Sequence, residues 1–362
     1  MNKIIYLDAA ATYQKSPAVI GAQVDFLKNH YANSGRGICA RSMYVDDMVL
    51  RARKRVAKFM GASENQIVFT SGTTGAINMV ARMLDLKADR IVAVSDLDHH
   101  SARLPFEAGL AQTVVMPLDS DFNIDINHIP YADVMVITAM SNVLGVGQKI
   151  PEIVRIARVK NPNVIVVVDA AQYVVHNKIN VADWDADFVA WSGHKIGADT
   201  GVGVMYIKSL EKFKPVNFGG GMVNRIIGDD LFLMDGPEKF EAGTLPLTQI
   251  SGLVLAIEEL ENNRPDLNLI KYMYDELYDV AGIKILTSRD ASVLTFVVDD
   301  MHVLDFGAIV GARGLCLRVG NMCATWVHRA LGVQGSIRLS VGAYNTLDDA
   351  RQAIQIIKDA IK

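Results

Sequence analysis

The chain has 362 residues, of which 50% are hydrophobic and 21% charged, which is the composition of a globular protein with a sizeable core and excludes a disordered chain. Its formal net charge of −4 disfavours a nucleic-acid-binding surface, and its three cysteines are too few for a disulfide framework. Since no apolar run approaches ~18 residues, neither a membrane span nor a secretory signal is expected, and a cytoplasmic setting is the default.

Apolar, β-rich runs alternate with helical patterns over the first two thirds of the chain. The predicted strands are residues 67–70, 91–94, 134–138, 163–168 and 187–191, with another near 201–207; the helical stretches between them are 74–84, 101–111 and 151–160. Most of these strands are apolar throughout, which suits a parallel sheet covered by helices on both faces. The cationic cluster at residues 51–55 lies in a helical pattern and predicts a solvated helix face.

The pattern changes after the glycine-rich segment 217–222. Helices are predicted at about 248–262 and from there to about residue 280, near 304–312 and from residue 347 onward, with strands at 283–287 and 292–298. Short strands mixed with helices indicate a smaller α+β domain. The sequence therefore predicts an α/β fold with two domains: a large domain over residues 15–247 with a mostly parallel sheet, and a small α+β domain formed by residues 1–14 and 248–362.

A turn rich in glycine and threonine, which includes Gly72, Thr73 and Thr74, lies where a predicted strand ends and a helix begins. Unpaired N–H groups at the positive end of a helix form an anion site, so the turn could hold a phosphate. An ordinary helix with a serine or threonine cap would have the same sequence, and the turn alone does not separate the two interpretations.

Two other strands end in candidate site residues. Asp169 follows a run of β-branched residues, at the strand end where open α/β sheets place ligand contacts, although a helix cap is the alternative; Gln172 could reach the same cavity. Lys195 follows another apolar strand together with Ser192 and His194. Lysine usually lies on the surface, but a partly desolvated lysine can lose its proton and form a Schiff base.

His99 lies in a loop between Asp98 and His100, where the choices are a plain loop histidine or a ring stacked on a ligand. Adjacent histidines chelate one metal poorly and no further ligand cluster is present, so no metal site is predicted. Cys323 lies in a glycine-containing loop and is a candidate reactive thiol, whereas Cys316 in a strand pattern is expected to be buried packing.

These residues fit together as one site. The threonine–glycine turn would hold a phosphate, His99 would stack on a ring, Asp169 would pair with a protonated ring nitrogen, and Lys195 would form an imine. Pyridoxal 5′-phosphate requires this set of partners. Arg338, which alternates with apolar residues in a strand pattern, would seek a carboxylate.

The sequence resembles the fold-type I, class V aminotransferase-like enzymes over nearly its whole length, and among them the cysteine desulfurases. The segments that carry the resemblance are 6–11, 72–74, 98–100, 141–145, 169–172, 192–195, 240–244 and Arg338. The 15-residue separation of Cys323 from Arg338 is similar to that of the SufS-like, short-loop group.

The resemblance implies roles for individual residues. Lys195, Cys323 and His99 would be catalytic, Asn142, Arg338 and Arg36 would bind the substrate, and the cofactor contacts would be Gly72, Thr73, Thr74, His99, Asp169, Gln172, Ser192, His194, Lys195 and, from a second subunit, Thr244. Four positions differ from the family's usual pattern: Cys39 stands where histidine is common, Gly75 where an acidic residue is common, and residues 321 and 322 where a pair that is often histidine occurs.

The implied activity is the conversion of L-cysteine to L-alanine, with the sulfur passed as a persulfide on Cys323 to an acceptor protein, by a homodimer. A selenocysteine lyase or another carbon–sulfur lyase is the alternative within the enzymes. A non-catalytic sulfur-relay or scaffold protein is the alternative outside them, and an intact Lys195, Asp169 and His99 argue against it.

Overall fold

A computed structural model describes residues 4–35 and 37–362. The strands are β1 (Ile5–Tyr6), β2 (Ile67–Thr70), β3 (Ile91–Ser95), β4 (Gln112–Met116), β5 (Val134–Thr138), β6 (Ile165–Asp169), β7 (Phe188–Ser192), β8 (Gly203–Ile207), β9 (Val223–Ile227), β10 (Asp230–Leu233), β11 (Ile283–Ile285), β12 (Leu294–Val298), β13 (Leu315–Cys316), β14 (Arg318–Gly320) and β15 (Ser336–Leu339).

The helices are α1 (Pro17–Asp25), which continues as a π-helical turn over Phe26–His30, α2 (Ala40–Met60), α3 (Thr73–Leu84), α4 (His100–Glu107), α5 (Ile150–Lys160), α6 (Tyr173–His176), α7 (Val181–Trp184), α8 (Leu247–Asn262), α9 (Asn268–Tyr278), α10 (Val303–Ala312), α11 (Thr325–Ala330) and α12 (Leu347–Ala360). Short 3₁₀ turns lie at Glu64–Gln66, Ile126–His128, Gly193–Ile196, Leu210–Lys212 and Pro237–Phe240. Within the described part of the chain, no helix is both long and apolar enough to cross a lipid bilayer.

The large sheet has seven strands in the order β2-β8-β7-β6-β5-β3-β4. Strands β3 to β7 pair in parallel, and β8 runs antiparallel to both of its neighbours. The prediction of a mostly parallel sheet covered by helices is confirmed. Strand β4 was not predicted, because this edge strand is largely exposed and begins with polar residues, so it lacks the apolar run of a central strand.

The second sheet is antiparallel, in the order β11-β12-β15-β14, and it packs with α9, α10 and α12 around a separate core. Ile5 and Leu7 of the N-terminal segment belong to this smaller core, and β1 pairs in parallel with β13. Helix α8, in contrast, buries its apolar face in the larger core. The division after residue 247 stays a prediction; the packing favours a boundary after α8.

The expectation of a fully solvated cationic cluster at residues 51–55 is wrong for Arg53. This side chain is only 6% exposed and forms two hydrogen bonds of 2.7 Å each with the carboxylate of Glu241, which is itself 2% exposed. Two buried opposite charges with matched hydrogen bonds compensate each other's loss of hydration. The pair connects α2 to the segment that precedes Thr244.

Candidate active site

A cavity of about 250 Å³ lies at the carboxyl ends of the central parallel strands, where open α/β sheets place their ligands. It is lined by Thr73, Thr74, His99, Ser101, Thr138, Met140, Asn142, Asp169, Ala171, Gln172, Ser192, His194 and Lys195. The structure thus brings together most of the residues that the sequence predicted for the cofactor. Larger cavities of about 430 Å³ occur elsewhere, but they do not contain these residues.

The start of α3 forms one end of this cavity. Gly72 precedes the helix with a φ of +133°, a conformation that residues with a Cβ rarely adopt. The Thr73 N–H donates to Ser192 Oγ at 2.8 Å, and the two hydroxyl oxygens lie 2.9 Å apart. Backbone N–H groups and hydroxyls at the positive end of a twelve-residue helix form a favourable anion site.

Asp169 is the last residue of β6 and is 4% exposed. Its Oδ1 accepts a hydrogen bond of 2.9 Å from the Ala171 N–H. Burial raises the pKa of Asp169 to about 6, against the lowering effects of that N–H and of Lys195. A carboxylate in such surroundings gains free energy from a cationic N–H partner, as a protonated pyridine nitrogen would provide.

Lys195 lies in the 3₁₀ turn Gly193–Ile196 that follows β7. Its ammonium donates to the carbonyl oxygens of Ala10 and Ala11 at 2.7 and 3.1 Å. Burial, with a contribution from the charge of Arg338, lowers the pKa of Lys195 to about 8. A neutral amine is therefore accessible near physiological pH, as a Schiff-base lysine requires.

His99 caps α4, with its Nδ1 accepting from the Ser101 N–H at 3.2 Å. Burial and the charge of Lys195 lower the pKa of His99 to about 4, so the ring is neutral and suited to stacking. Asp98 connects this turn to the ends of β3 and β5: its carboxylate accepts hydrogen bonds from the Ser95 N–H at 2.7 Å and from the Thr138 hydroxyl at 2.8 Å.

The remaining cofactor candidates connect the cavity to the N-terminal segment. Gln172 donates from Nε2 to the carbonyl oxygen of Ala10 at 2.8 Å, and His194 Nδ1 lies 3.2 Å from the Thr12 hydroxyl. Burial, together with nearby lysine charges, lowers the pKa of His194 to about 4. The neutral ring can therefore exchange hydrogen bonds without adding a charge.

Arg338 and Asn142 present unused polar atoms. Arg338 on β15 is 2% exposed; it donates to Asp8 Oδ1 at 3.1 Å and to the Asn142 carbonyl oxygen at 2.7 Å. Its Nε, like Asn142 Oδ1, is buried with no hydrogen-bond partner among the described residues. A buried donor of this kind costs free energy unless a ligand pairs with it, and a substrate carboxylate is a suitable partner for a guanidinium.

Asp8 was not among the predicted site residues. It is 6% exposed and bridges two arginines, because Arg318 also donates to its carboxylate at 2.6 Å. Arg318 lies directly opposite Arg338 in the pairing of β14 with β15. Like charges opposite each other destabilise a sheet, so the Asp8 carboxylate compensates both. Only the pattern of an aspartate directly after an apolar strand could have indicated it.

Cys323 is exposed and lies in the turn between β14 and α11, as the loop prediction requires. It is next to the cavity through Asn142, whose side-chain N–H donates to the carbonyl oxygen of Met322 at 2.9 Å. Cys316 is partly exposed, which corrects the expectation of buried packing: β13 has only two residues and belongs to a two-stranded sheet with β1. Cys39 is exposed at the start of α2.

Of the predicted residues that the structure describes, four do not line this cavity: Gly72, Cys323 and Arg338, which lie next to residues that do, and Thr244. Thr244 is exposed and lines two other cavities of the same chain. Arg36 lies outside the described residues.

A mostly parallel sheet that gathers these side chains at one edge is the fold-type I arrangement of pyridoxal phosphate enzymes. Within that class the chain belongs to the aminotransferase class-V family, whose model matches residues 5–352. This family depends on pyridoxal 5′-phosphate.

The individual relatives are named for a single activity. A probable cysteine desulfurase of Halalkalibacterium halodurans is 34% identical and aligns with 96% of this chain and 91% of its own length. One of Vibrio cholerae is 32% identical, with 99% and 94% covered. Among solved structures, the apo cysteine desulfurase of Thermococcus onnurineus is similar with a TM-score of 0.93 at 30% identity, and the Escherichia coli cysteine desulfurase CsdA, in an S-sulfonic acid form, with 0.91 at 31%; each covers 99% of this chain and 94% of its own.

The residues of the cavity fit the family's cofactor. The anion site at α3, the carboxylate of Asp169 at the carboxyl end of β6 and the amine of Lys195 are the three groups that a phosphate, a pyridine nitrogen and an aldehyde require. The unpartnered donor on Arg338 suits the carboxylate of an amino acid bound beside it.

Proposed function

We propose that this protein is a pyridoxal phosphate-dependent cysteine desulfurase that converts L-cysteine to L-alanine and carries the sulfur on Cys323. The observation that supports this most strongly is the contact between Asn142 and Met322. It joins a cavity with the residues for the cofactor to a loop that carries an exposed thiol. An aminotransferase has no need of a thiol at that place.

The cofactor's phosphate would be held by the first turn of α3 with Ser192 and His194, its ring by His99, its ring nitrogen by Asp169 and its aldehyde by Lys195. When bound there, it supplies an electron-accepting ring that lowers the energy of a carbanion at the substrate's Cα. Arg338 would bind the substrate carboxylate, since its Nε is a buried donor without a partner beside Asn142. The unused Oδ1 of Asn142, which lines the cavity, is an acceptor and would take a hydrogen bond from a donor of the substrate or the cofactor.

Lys195 would act as the base. With a pKa of about 8, its Nζ is a fair acceptor for the Cα proton near neutral pH and can later return a proton to the product carbon. The carbonyl oxygens of Ala10 and Ala11 hold the amine at the cavity wall, so that proton transfer begins from a fixed position.

Cys323 would be the nucleophile. Its thiolate attacks the sulfur of the substrate cysteine, a sulfur–sulfur bond forms and the carbon–sulfur bond breaks. The electron pair of the broken bond stays with carbon, which is protonated to the methyl group of alanine. The net change, a thiol plus cysteine giving a persulfide plus alanine, balances without an outside oxidant or reductant, since carbon is reduced as the sulfurs are oxidised.

Homodimerisation and a protein acceptor for the persulfide belong to the same proposal. Thr244 does not line the cofactor cavity of its own chain. It lies beside a glycine-rich segment, because the N–H of its neighbour Gly243 donates to the Gly220 carbonyl oxygen at 2.8 Å. That segment leads into the β9–β10 hairpin, which exposes Ile226, Ile227, Leu231 and Phe232. An apolar surface of this kind beside Thr244 suits an isologous interface at which each chain completes the other's phosphate site.

The test is the steady-state release of alanine from L-cysteine by the cofactor-loaded protein, with selenocysteine as the competing substrate and Cys323→Ser as the variant. The proposal expects alanine from cysteine in the wild type and none in the variant. Alanine formed only from selenocysteine, and equally by the variant, would replace the proposal with a selenocysteine lyase. In that reaction selenium leaves as elemental selenium without attack by a thiol, and the electron pair of the carbon–selenium bond stays on the carbon that becomes the methyl group.

A further inference from the structure

His100, the neighbour of His99, contacts the loop of Cys323 at two points. Its backbone N–H donates to the Cys323 carbonyl oxygen at 2.8 Å. Its ring Nε2 lies 3.1 Å from the Thr325 hydroxyl and also faces the Thr325 N–H at 3.5 Å. The first residue of α4 in the large domain is thereby joined to the first residue of α11 in the small domain.

The loop needs such support because of its backbone. Met322 and Cys323 have φ angles of +50° and +52°, the left-handed region that residues with a Cβ rarely adopt. Two consecutive residues in that region persist only when the surroundings hold them there. The bonds from His100 to Cys323 and from Asn142 to Met322 are such constraints, and both come from the large domain.

The ring of His100 is itself fixed by packing. It meets Trp326 edge to face with the ring centroids 5.2 Å apart. The guanidinium of Arg103 lies 4.1 Å from the centroid of the same indole and is anchored by Glu107 at 2.6 Å. The first two turns of α4 and the first turn of α11 therefore pack as one unit, in which His100 is the residue beside Cys323.

We propose that His100 is a positioning residue for the Cys323 thiol. The two adjacent histidines at the start of α4 have different roles: His99 lines the cofactor cavity, and His100 holds the loop that carries Cys323. The first turn of α4 would thereby position both the ring of the cofactor and the attacking sulfur. This inference rests on the proposed function, since it assigns the nucleophile's position in that reaction.

Helix α11 also has contacts that do not involve His100, so a variant without the His100 ring is expected to fold. His328 on α11 bonds to the Ala324 carbonyl oxygen and to the Ser336 hydroxyl, each at 2.8 Å. Helix α11 thus keeps contacts within its own domain when the ring of His100 is removed. Loss of the ring should loosen the loop and leave both folded cores in place.

The experiment compares His100→Ala, Thr325→Val and the double variant, with His100→Gln as the conservative replacement, because the glutamine amide can take the place of Nε2. The control is His128→Ala, a histidine whose side chain is 73% exposed and pairs with Asp125. Steady-state alanine formation, which gives kcat and KM, is measured with the holoenzyme. Hydrogen exchange of peptide 321–326 is measured in the cofactor-free protein, so one readout does not depend on activity.

We expect kcat to fall by about tenfold or more in His100→Ala, with KM and the visible cofactor spectrum close to wild type, because the thiol is misplaced while the cofactor site stays intact. Exchange of peptide 321–326 should become faster in both single variants, no further change should occur in the double variant, and His100→Gln should recover most of the rate. Thr325→Val, which keeps the shape of the side chain, provides the test if His100→Ala does not fold.

Two results would overturn the inference: exchange and kcat in the single variants equal to wild type, or effects of His100→Ala and Thr325→Val that add in the double variant, since additive effects exclude a shared contact. A wild type that makes no alanine from cysteine would instead refute the proposed function, and the exchange data would still decide whether His100 holds the loop.

Discussion

Removing the carboxylate of Glu241 should destabilise the protein strongly. This carboxylate accepts two hydrogen bonds of 2.7 Å from Arg53 and one of 2.6 Å from the Phe69 N–H, at a site where both charged side chains are almost fully buried. In Glu241→Ala the guanidinium keeps only its bond to the Ile67 carbonyl oxygen, and the Phe69 N–H has lost its acceptor.

The size of the loss follows from these contacts. Breaking a buried ion pair by removing one partner costs about 3–5 kcal/mol. A buried N–H without an acceptor costs about 1–3 kcal/mol by itself, but part of that is already contained in the first figure. We therefore expect the free energy of unfolding to fall by about 4 kcal/mol in Glu241→Ala.

The assay is urea unfolding of the holoprotein at one fixed protein concentration, because cofactor binding and self-association both add to apparent stability. The matched control is Asp47→Ala, which breaks the exposed pair of Asp47 with Arg51 on the same helix and should change stability by about 0.3–0.5 kcal/mol. A loss below about 1 kcal/mol in Glu241→Ala would mean that solvent screens the pair of Arg53 with Glu241 as it screens a surface pair, and would contradict the prediction.

Four further results are expected. Lys195→Ala should lose the visible absorbance of the bound cofactor and turnover together, and a variant that keeps both would contradict the assignment. Cofactor uptake by the cofactor-free wild type should accelerate as the pH rises through about 8, because burial lowers the pKa of Lys195 to about 8 and only the neutral amine attacks an aldehyde; a rate that does not change with pH around that value would contradict this. Cys316→Ser should change the free energy of unfolding by less than about 0.5 kcal/mol, because Cys316 is partly exposed, and a larger loss in thermal or urea unfolding would indicate a buried thiol. Light scattering at micromolar concentration should give a dimer, and an active monomer would contradict the shared site at Thr244.

The cavity residues could be predicted from the sequence because their positions follow from local structure. An apolar run of four to six residues indicates a buried strand, and the polar residue directly after it lies at the edge of the sheet. Asp169 is the last residue of β6, after such a run, and Lys195 lies three residues beyond the end of β7, so the same argument predicts both positions. The carboxyl ends of parallel strands meet at one edge of the sheet. Residues at these ends can therefore be predicted to lie together even when they are far apart in sequence and their individual contacts are not known.

The partners of buried charges could not be predicted in the same way. Arg53 lies in a helical run of cations that is typical of a solvated face, and only the fold brings Glu241 to it across 188 positions. The bridge from Asp8 to Arg338 spans 330 positions. Helix and strand periodicity report which side of an element is apolar, but they carry no information on which distant element meets it.

The contacts of the nucleophile loop lie beyond sequence patterns for a related reason. The left-handed backbone at Met322 and Cys323 occurs at residue types that usually avoid it. The constraints come from His100 at the start of α4 and from Asn142, both far from the loop in sequence. The sequence predicts Cys323 from its loop context and from the family resemblance. The structure shows that hydrogen bonds from His100 and Asn142 hold that loop beside the cavity.

Mass spectrometry of the holoprotein after addition of L-cysteine, with alanine measured in the same sample, decides whether Cys323 carries the sulfur. We expect an addition of ~32 Da, one sulfur atom, on the peptide that contains Cys323, one alanine for each modified chain in the first turnover, and neither product in Cys323→Ser. Sulfur found on Cys39 instead, or normal alanine formation by Cys323→Ser with an intact cofactor spectrum, would contradict it.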